Sequence, residues 1–450
     1  MKLILPLLIA WAVTCAAPFS AQAATSAEPL TLTLEQAEAR LLSNNRDILA
    51  GQRAVESADA VLMSGGARPN PQVSINSVSI TPSRGLGAGT PYDKRMDTTL
   101  RVDQLIERGG KRALRMRTAR QLQQASQEDL SDTRRQLQVA LDAAYYDLLL
   151  AQDKMRLTAD SAHLAQTALD KAEFRLKAGD LAASEVAGIR VDTLRVKNDA
   201  AQAAADVTTA RLALAYLIGA DADASRIQAT SAWPAPGNLA TDVDIESLIA
   251  RRPDMRAAQT RVDAARSARD LVRAQRVRDI SVGAQVEHYP PDNGNSFGVG
   301  VSFPLFFGNN FEGDIRGAEV ALSTAQDNLE RTHALALGEL TRARNDLDSS
   351  AEHLLRYQTE LIPAARRAAD AAEFAFAHGA ISAVDRCRIQ RKRSFAASAA
   401  KRGEGLVDQL GRFGVGLMTM PAFARIMHAC RDKTSPRPCR ARSGASCPCS

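Results

Sequence analysis

The amino-acid sequence predicts a mainly α-helical protein with a small β part, in which long antiparallel coiled-coil helices carry four membrane β-strands per chain. Three observations lead to this prediction. Residues 112–178 are rich in helix-forming residues and contain neither proline nor glycine. Two pairs of short segments alternate apolar with polar side chains. The order of helices and strands then repeats once along the 450 residues, which indicates two internal repeats.

Residues 1–23 have the features of a secretory signal peptide. A single basic residue, Lys2, precedes a mostly apolar run, and Ala21-Gln22-Ala23 supplies the small residues of a cleavage site. Thr14 fits a lipoprotein cleavage site poorly, so we do not expect a lipid anchor on Cys15. No later segment is apolar enough for a transmembrane helix, and a membrane crossing would therefore have to use strands.

The charge and the cysteines concentrate at the end of the chain. The net charge is +6, but the basic excess lies in residues 386–450, and the preceding chain is acidic. This distribution argues against a nucleic-acid partner. Apart from Cys15, all cysteines lie in the same tail, and the histidines are scattered without ligand spacing. The sequence therefore predicts no metal site, no cofactor and no catalytic motif.

We expect the first repeat to occupy residues 24–219. After an extended lead-in, Thr33 and Gln36 form a capping box for a helix that runs to about Ser64. Further elements follow at 73–80 (strand), 98–106 (strand), 112–178 (long helix) and 182–218 (return helix).

The long helix would extend about 100 Å, which is too long for burial in a compact domain. Its apolar residues from Leu137 to Leu169 recur in steps of three and four, as in a coiled coil. Taken alone, this helix fits a cytoplasmic coiled-coil scaffold equally well.

A connector at 220–244 leads to the second repeat at 245–385, with a helix from Ile245 to about Arg278. Strands are expected at 280–288 and 297–306, and a long helix at 312–378. Ala172-Glu173-Phe174 recurs as Ala372-Glu373-Phe374, which supports a duplication.

The strands of the second repeat have one apolar and one polar side. We expect five residues to face lipid: Ile280, Val282, Val299, Val301 and Phe303. A sandwich with one buried face is the alternative interpretation. Four strands cannot close a barrel, and open edges are not tolerated in lipid. Three copies would supply twelve strands, with the attached helices forming a tube below them.

From Leu30 to Asp385 the chain resembles the TolC-like outer membrane efflux proteins. The resemblance rests on the duplicated element order, on Asn70-Pro71 before the first strand and on the glycine turns of the long helices. The segment Gln104–Arg112, which contains Gly-Gly-Lys-Arg, looks like the heavy-metal, CzcC-like branch.

This resemblance implies a homotrimer with a twelve-stranded barrel in outer-membrane lipid and a helical tunnel through the periplasm. It also implies a periplasmic adaptor (membrane fusion protein) and an inner-membrane RND-type transporter as partners. The expected function is a passive exit duct for divalent heavy-metal cations, without catalysis. Multidrug efflux or type I secretion by the same kind of duct remains an alternative, as does a periplasmic coiled-coil scaffold without a pore.

The resemblance places the periplasmic constriction and the adaptor-docking turns at the helix tips, near Gly179 and Gly379. An acid follows each glycine, Glu185 and Asp385, and threefold repetition of a carboxylate favours cations. For Glu185 the favoured interpretation is that a first-turn acid complements the helix dipole. Asp385 matches the family's gate aspartate by position, so there we favour a gate role.

Beyond Asp385 the second repeat departs from the first. Arg388 and Ile381 stand where the family's gate has an acid and an arginine, and apolar periodicity fades. We hypothesise that residues 386–450 arose from a frameshift, which resequencing the gene would test.

Overall fold

The computed structural model describes residues 28–80, 83, 85, 87–90, 95–230, 244–289, 294–378, 380 and 389. The predicted signal peptide, the C-terminal tail apart from Ile389, and the predicted sites Gly379 and Asp385 lie outside the described residues. Long helices carry a four-stranded sheet, and a small two-stranded sheet packs against the helices of the first repeat. The fold class predicted from the sequence is therefore confirmed.

The elements of the first repeat and the connector follow the predicted order. They are β1 (Leu30–Leu32), α1 (Leu34–Asn44), α2 (Arg46–Gly66), β2 (Gln72–Val78), β3 (Asp97–Ile106), α3 (Lys111–Lys177), α4 (Ala183–Ile218), a 3-10 turn (Asp221–Arg226) and β4 (Ile227–Ala229).

The second repeat has the same order as far as it is described. Its elements are α5 (Ile245–Arg251), α6 (Pro253–Ala274), β5 (Ile280–Tyr289), β6 (Gly294–Ser302), α7 (Glu312–Arg356), a π-helical turn (Tyr357–Leu361) and α8 (Ile362–Ala377).

The larger sheet joins the two repeats. It is antiparallel, with the order β2-β3-β5-β6, so each repeat contributes one hairpin and the central pair comes from different repeats. The β3–β5 ladder pairs Thr98 with His288 at one end and Ile106 with Ile280 at the other. Nine residues of each central strand are therefore held in one register.

Helix α3 is the centre of the helical part and packs against α2, α4 and α6. A core of apolar side chains from α1, α3 and α4 surrounds Leu141, Tyr145 and Leu214, which are completely buried. The hydroxyl of Tyr145 donates a hydrogen bond of 3.0 Å to the carbonyl of Leu32, so the β1 strand is fixed to the middle of α3.

The connector at 220–244 contains structure that the sequence did not indicate. β4 pairs in parallel with β1, and Leu30 lies opposite Ile227. The guanidinium of Arg211 on α4 donates to the carbonyl of Ile227 at 2.9 Å. The end of the first repeat is thereby tied back to its beginning.

Two helices that were expected to be continuous are broken. The helix predicted from Thr33 to Ser64 is interrupted at Asn45 (φ −67°, ψ 130°). The helix predicted from Ile245 to Arg278 is interrupted at Arg252 (φ −63°, ψ 138°) and ends at Ala274. Asn45 can leave the helix because its side-chain oxygen accepts the first amide protons of α2. Arg252 precedes Pro253, which disfavours the helical conformation in the residue before it.

Other boundaries also differ from the prediction. β6 was expected at 297–306 but spans Gly294–Ser302, so Phe303 lies beyond the strand; Pro304, close behind it, has no amide proton for a ladder. The expected strand at 73–80 ends at Val78 because Ser79 adopts φ +60°. The helix expected at 312–378 contains a π-helical turn that ends two residues before Pro363, and the proline removes a hydrogen-bond donor from the helix.

Among the described residues, no helix is both long enough and apolar enough to span a membrane.

Asn45 is 2% exposed and also donates to the carbonyl of Leu217 at 2.9 Å. We expect Asn45→Ala to destabilise the fold by about 2 kcal/mol, because the cap of α2 and a buried bond to α4 are both lost. The midpoint of thermal loss of the helical circular dichroism signal measures the effect. Asn44→Ala is the matched control, since Asn44 is exposed. Equal midpoints for the two variants would contradict this role.

Candidate functional site

One side of the four-stranded sheet is apolar, and its side chains point away from the protein. Val73, Val102, Ala284 and Val299 lie opposite one another and form one row across all four strands. A second row joins Ile75, Leu100, Val286 and Phe297. We call these two rows, with Val282 and Val301, the apolar face. Phe297 is 82% exposed and Val299 92% exposed. A patch of this kind marks a surface that meets lipid or another protein.

The residues predicted to face lipid fall on this side with one exception. Val282, Val299 and Val301 are exposed members of the apolar face. Ile280, the first residue of β5, is half-buried. Phe303 is exposed but lies outside β6. The assignment to lipid itself stays a prediction.

The opposite side, the polar face, carries Arg101, Asp103 and Gln285 with four glycines of β5 and β6. The guanidinium of Arg101 donates two hydrogen bonds to the carboxylate of Asp103, at 2.7 and 2.8 Å. It donates a third to the amide oxygen of Gln285 at 3.2 Å.

The Gly-Gly-Lys-Arg motif lies at the junction between the sheet and the helices. The ammonium of Lys111 is 2.8 Å from both the carbonyl of Val277 and the carboxylate of Asp279. The amide of Arg108 donates to the same carboxylate at 2.9 Å. Gly109 has φ +70°, and a Cβ there would come within 2.9 Å of Val277. The motif therefore joins the start of α3 to the start of β5 in the other repeat.

A second ion pair supports this junction. The guanidinium of Arg115 donates to both oxygens of Glu107, at 2.7 and 3.1 Å, and to the carbonyl of Gly65 at 3.0 Å. The hydrogen bonds from Arg115 hold the pKa of the Glu107 carboxyl below its ordinary value. The carboxylate is therefore charged at neutral pH and keeps α2, β3 and α3 together.

The tip between α3 and α4 is a tight turn. Gly179 adopts φ +84°, and its amide and that of Asp180 donate to the carbonyls of Leu176 and Arg175 at 3.0 and 2.9 Å. This is the hydrogen-bond pattern of a helix that ends in a left-handed glycine. Glu185 is exposed in the first turn of α4. The helix dipole alone stabilises a carboxylate at this position.

Sequence analysis missed two exposed aromatic side chains near the tips. Phe174 is 73% exposed, and Phe374, at the equivalent place in the second repeat, is 67% exposed. Their shared position in the duplicated Ala-Glu-Phe triplet was the available signal.

Sequence analysis also missed the ion pairs of Arg252, which is 2% exposed. Its guanidinium lies 2.7 Å from Asp254 and 2.9 Å from Glu339. Burial alone would raise the pKa of Asp254, but the hydrogen bonds and charge of Arg252 outweigh it and lower the pKa.

Within the described part of the chain, no group of three or more His, Cys, Asp or Glu side chains is placed to hold a metal ion.

Comparison with known proteins gives one family match. The family model described as "Outer membrane efflux protein" matches residues 39–220 and 245–400. A curated relative, the cobalt-zinc-cadmium resistance protein CzcC of Cupriavidus metallidurans, is 24% identical over 366 residues, which cover 80% of this chain and 83% of that protein.

Solved structures show the same fold. The Campylobacter jejuni CmeC outer membrane channel has a TM-score of 0.73 at 16% identity and covers 88% of each chain. CusC has a TM-score of 0.69 at 17% identity and covers 85% of this chain and 91% of its own.

We expect Lys111→Met to lower the free energy of unfolding by about 3 kcal/mol, because Asp279 would be left without its buried cation. Lys154→Met is the matched control: Lys154 is 2.8 Å from Asp206, but both side chains are largely solvated. Thermal unfolding followed by circular dichroism should show a lower midpoint for the first variant and almost no change for the second. A similar shift in both would contradict the role of the motif as a junction.

Proposed function

Because the chain belongs to the outer membrane efflux protein family, we propose that it is the exit duct of a tripartite efflux system for divalent heavy-metal cations. Members of this family are passive outer membrane channels with a helical tunnel in the periplasm. The chain is accordingly an outer membrane protein and not an enzyme. The cargo, the assembly and the partners are the parts we propose.

The observation that carries the proposal is the open, two-faced sheet. In the described part of the chain, β2 pairs only with β3 and β6 pairs only with β5, so both edges are free. Such edges cannot remain unpaired in hydrocarbon. In the proposed assembly, β6 of one copy pairs with β2 of the next, and three copies close a twelve-stranded barrel.

A closed sheet has one side that meets lipid and one that lines the lumen, and the polarity of the side chains decides which is which. The apolar face then forms the outer surface, with Val282, Val299 and Val301 in contact with lipid, while the polar face lines water. The helices that continue from these strands form the tunnel, and α3, with 67 residues, spans about 100 Å. That length suits a duct that reaches from the membrane deep into the periplasm.

The cargo proposal rests on two similarities. The relative CzcC is named for cobalt, zinc and cadmium resistance, and Gln104–Arg112 resembles the heavy-metal branch of the family. Multidrug efflux or type I secretion is the alternative cargo class, and a periplasmic scaffold without a pore is the alternative of another class.

Family channels work as trimers with periplasmic adaptors and inner-membrane RND transporters. We infer the same partners here, with the adaptor docking at the tips near Gly179 and Gly379. The exposed ring of Phe174 adds an apolar contact there. Asp385 is the proposed gate residue, and Glu185 is a second candidate that its helix-end position explains equally well.

The purified protein in a planar lipid bilayer should give stepwise single-channel conductance, and a deletion strain should become sensitive to cobalt, zinc or cadmium salts. Complementation with the intact gene should restore resistance. A purified trimer that never conducts would leave the scaffold as the better explanation. Conductance combined with unchanged metal tolerance and raised drug sensitivity would assign the alternative cargo.

The two faces can be tested with neighbouring residues of β6. Phe297→Lys places a charge on the proposed lipid side and should destabilise the protein in the membrane by about 2–4 kcal/mol. Ser296→Lys, one residue away on the polar face, is the matched control and should be tolerated. The yield of heat-modifiable trimer in outer-membrane fractions measures both. Equal yields would contradict the assigned orientation.

A further inference from the structure

The polar face holds an ion pair in the middle of a sheet that is proposed to enclose water. Arg101 and Asp103 lie two residues apart on β3, and both side chains are partly buried, at 32% and 24% exposure. The two nitrogens of the guanidinium that bond Asp103 make a bidentate contact. The third bond, to Gln285, crosses to the next strand.

Glycines give these side chains the room to lie flat on the sheet. A Cβ at Gly283 would stand 2.9 Å from the Arg101 guanidinium and also collide with the Asp103 carboxylate. A Cβ at Gly300, on β6, would meet the same guanidinium at 3.5 Å. The Arg101 side chain therefore extends from β3 across β5 towards β6.

The glycine positions are otherwise unfavourable in a strand. Glycine weakens a strand interior, and it is found where another group must approach the backbone closely. Here that group is the ion pair. β5 thus lacks a side chain at Gly283, where the pair lies, and within the pair the charges of Arg101 and Asp103 compensate each other.

We propose that Arg101, Asp103 and Gln285 form a neutral polar belt inside the barrel that keeps the pore from selecting against cations. The proposal rests on the proposed function, because it requires that the polar face line the lumen. Three copies then place three guanidinium groups at one level of the pore. Each is cancelled by its own carboxylate, so a cation meets no net positive ring.

Pairing decides the sign of the effect of each substitution. D103N removes the negative charge and leaves Arg101 uncompensated three times around the pore, which repels cations. R101Q leaves Asp103 uncompensated and attracts them. The double variant R101Q/D103N removes both charges and restores neutrality, so it should behave like the parent protein.

The experiment measures the reversal potential of single channels in a planar bilayer across a KCl gradient. We expect the cation-to-anion permeability ratio to fall about twofold or more in D103N and to rise about twofold or more in R101Q. The ratio should return to the parent value in the double variant. D223N is the control, because Asp223 pairs with Arg226 in the 3-10 turn, outside the sheet, at 2.9 Å. It changes the net charge by the same amount and should leave the ratio unchanged.

Channel counts and heat-modifiable trimer on unboiled gels show that each variant has assembled. If the parent protein forms no channels, the proposed function fails. If all proteins conduct with the same permeability ratio, the proposed function stands and the belt is overturned. Should either single variant fail to assemble, G283A tests the same belt. Its Cβ displaces the ion pair without changing charge, and it should lower the unitary conductance while D223N does not.

Discussion

A backbone amide or carbonyl inside hydrocarbon has no water to bond, and each one left unpaired costs several kcal/mol. This constraint applies to the four-stranded sheet, because β2 and β6 each have one free edge among the described residues. The apolar face adds a second requirement, since residues such as Val299 need an apolar surrounding. Family membership places the chain in a membrane where both requirements apply.

The two repeats depend on each other at the base of the sheet. β3 of the first pairs with β5 of the second, and Lys111 of the first binds Asp279 of the second. Arg115 fixes Glu107 to the end of α2 in the same region. The junction between strand and helix is therefore where the orientation of the barrel strands relative to the tunnel helices is set.

Local signals were sufficient for most elements and insufficient for the breaks between them. The lack of glycine and proline indicated α3, because these two residues interrupt helices. Strict alternation indicated β5, because it is the pattern of a strand whose two sides meet different surroundings. The break at Asn45 combines a local cap of α2 with a bond to Leu217 in α4, and no local pattern reveals the second. The strand β4 is equally dependent on a distant partner, since it exists only by pairing with β1.

The candidate site was predictable to a similar degree. Glycine turns and apolar strand residues are visible in a single sequence, and they located Gly179 and Val299. The ion pair of Arg101 was not singled out, because charged residues on a polar strand face are expected to be solvated. Only the register that brings Gly283 beside Asp103 shows why that pair lies flat.

The broken helices show how a duplicated backbone can keep its shape while its chemistry diverges. Asn45 and Arg252 adopt nearly the same dihedral angles at equivalent places, yet a neutral amide holds the first bend and a guanidinium–carboxylate pair holds the second. An amide does not titrate, whereas the lowered pKa of Asp254 means that its contribution is complete above about pH 4 and disappears as acidification passes through that pKa. The bend in the second repeat thus has an ion pair that is lost in acid, and the bend in the first repeat does not depend on one.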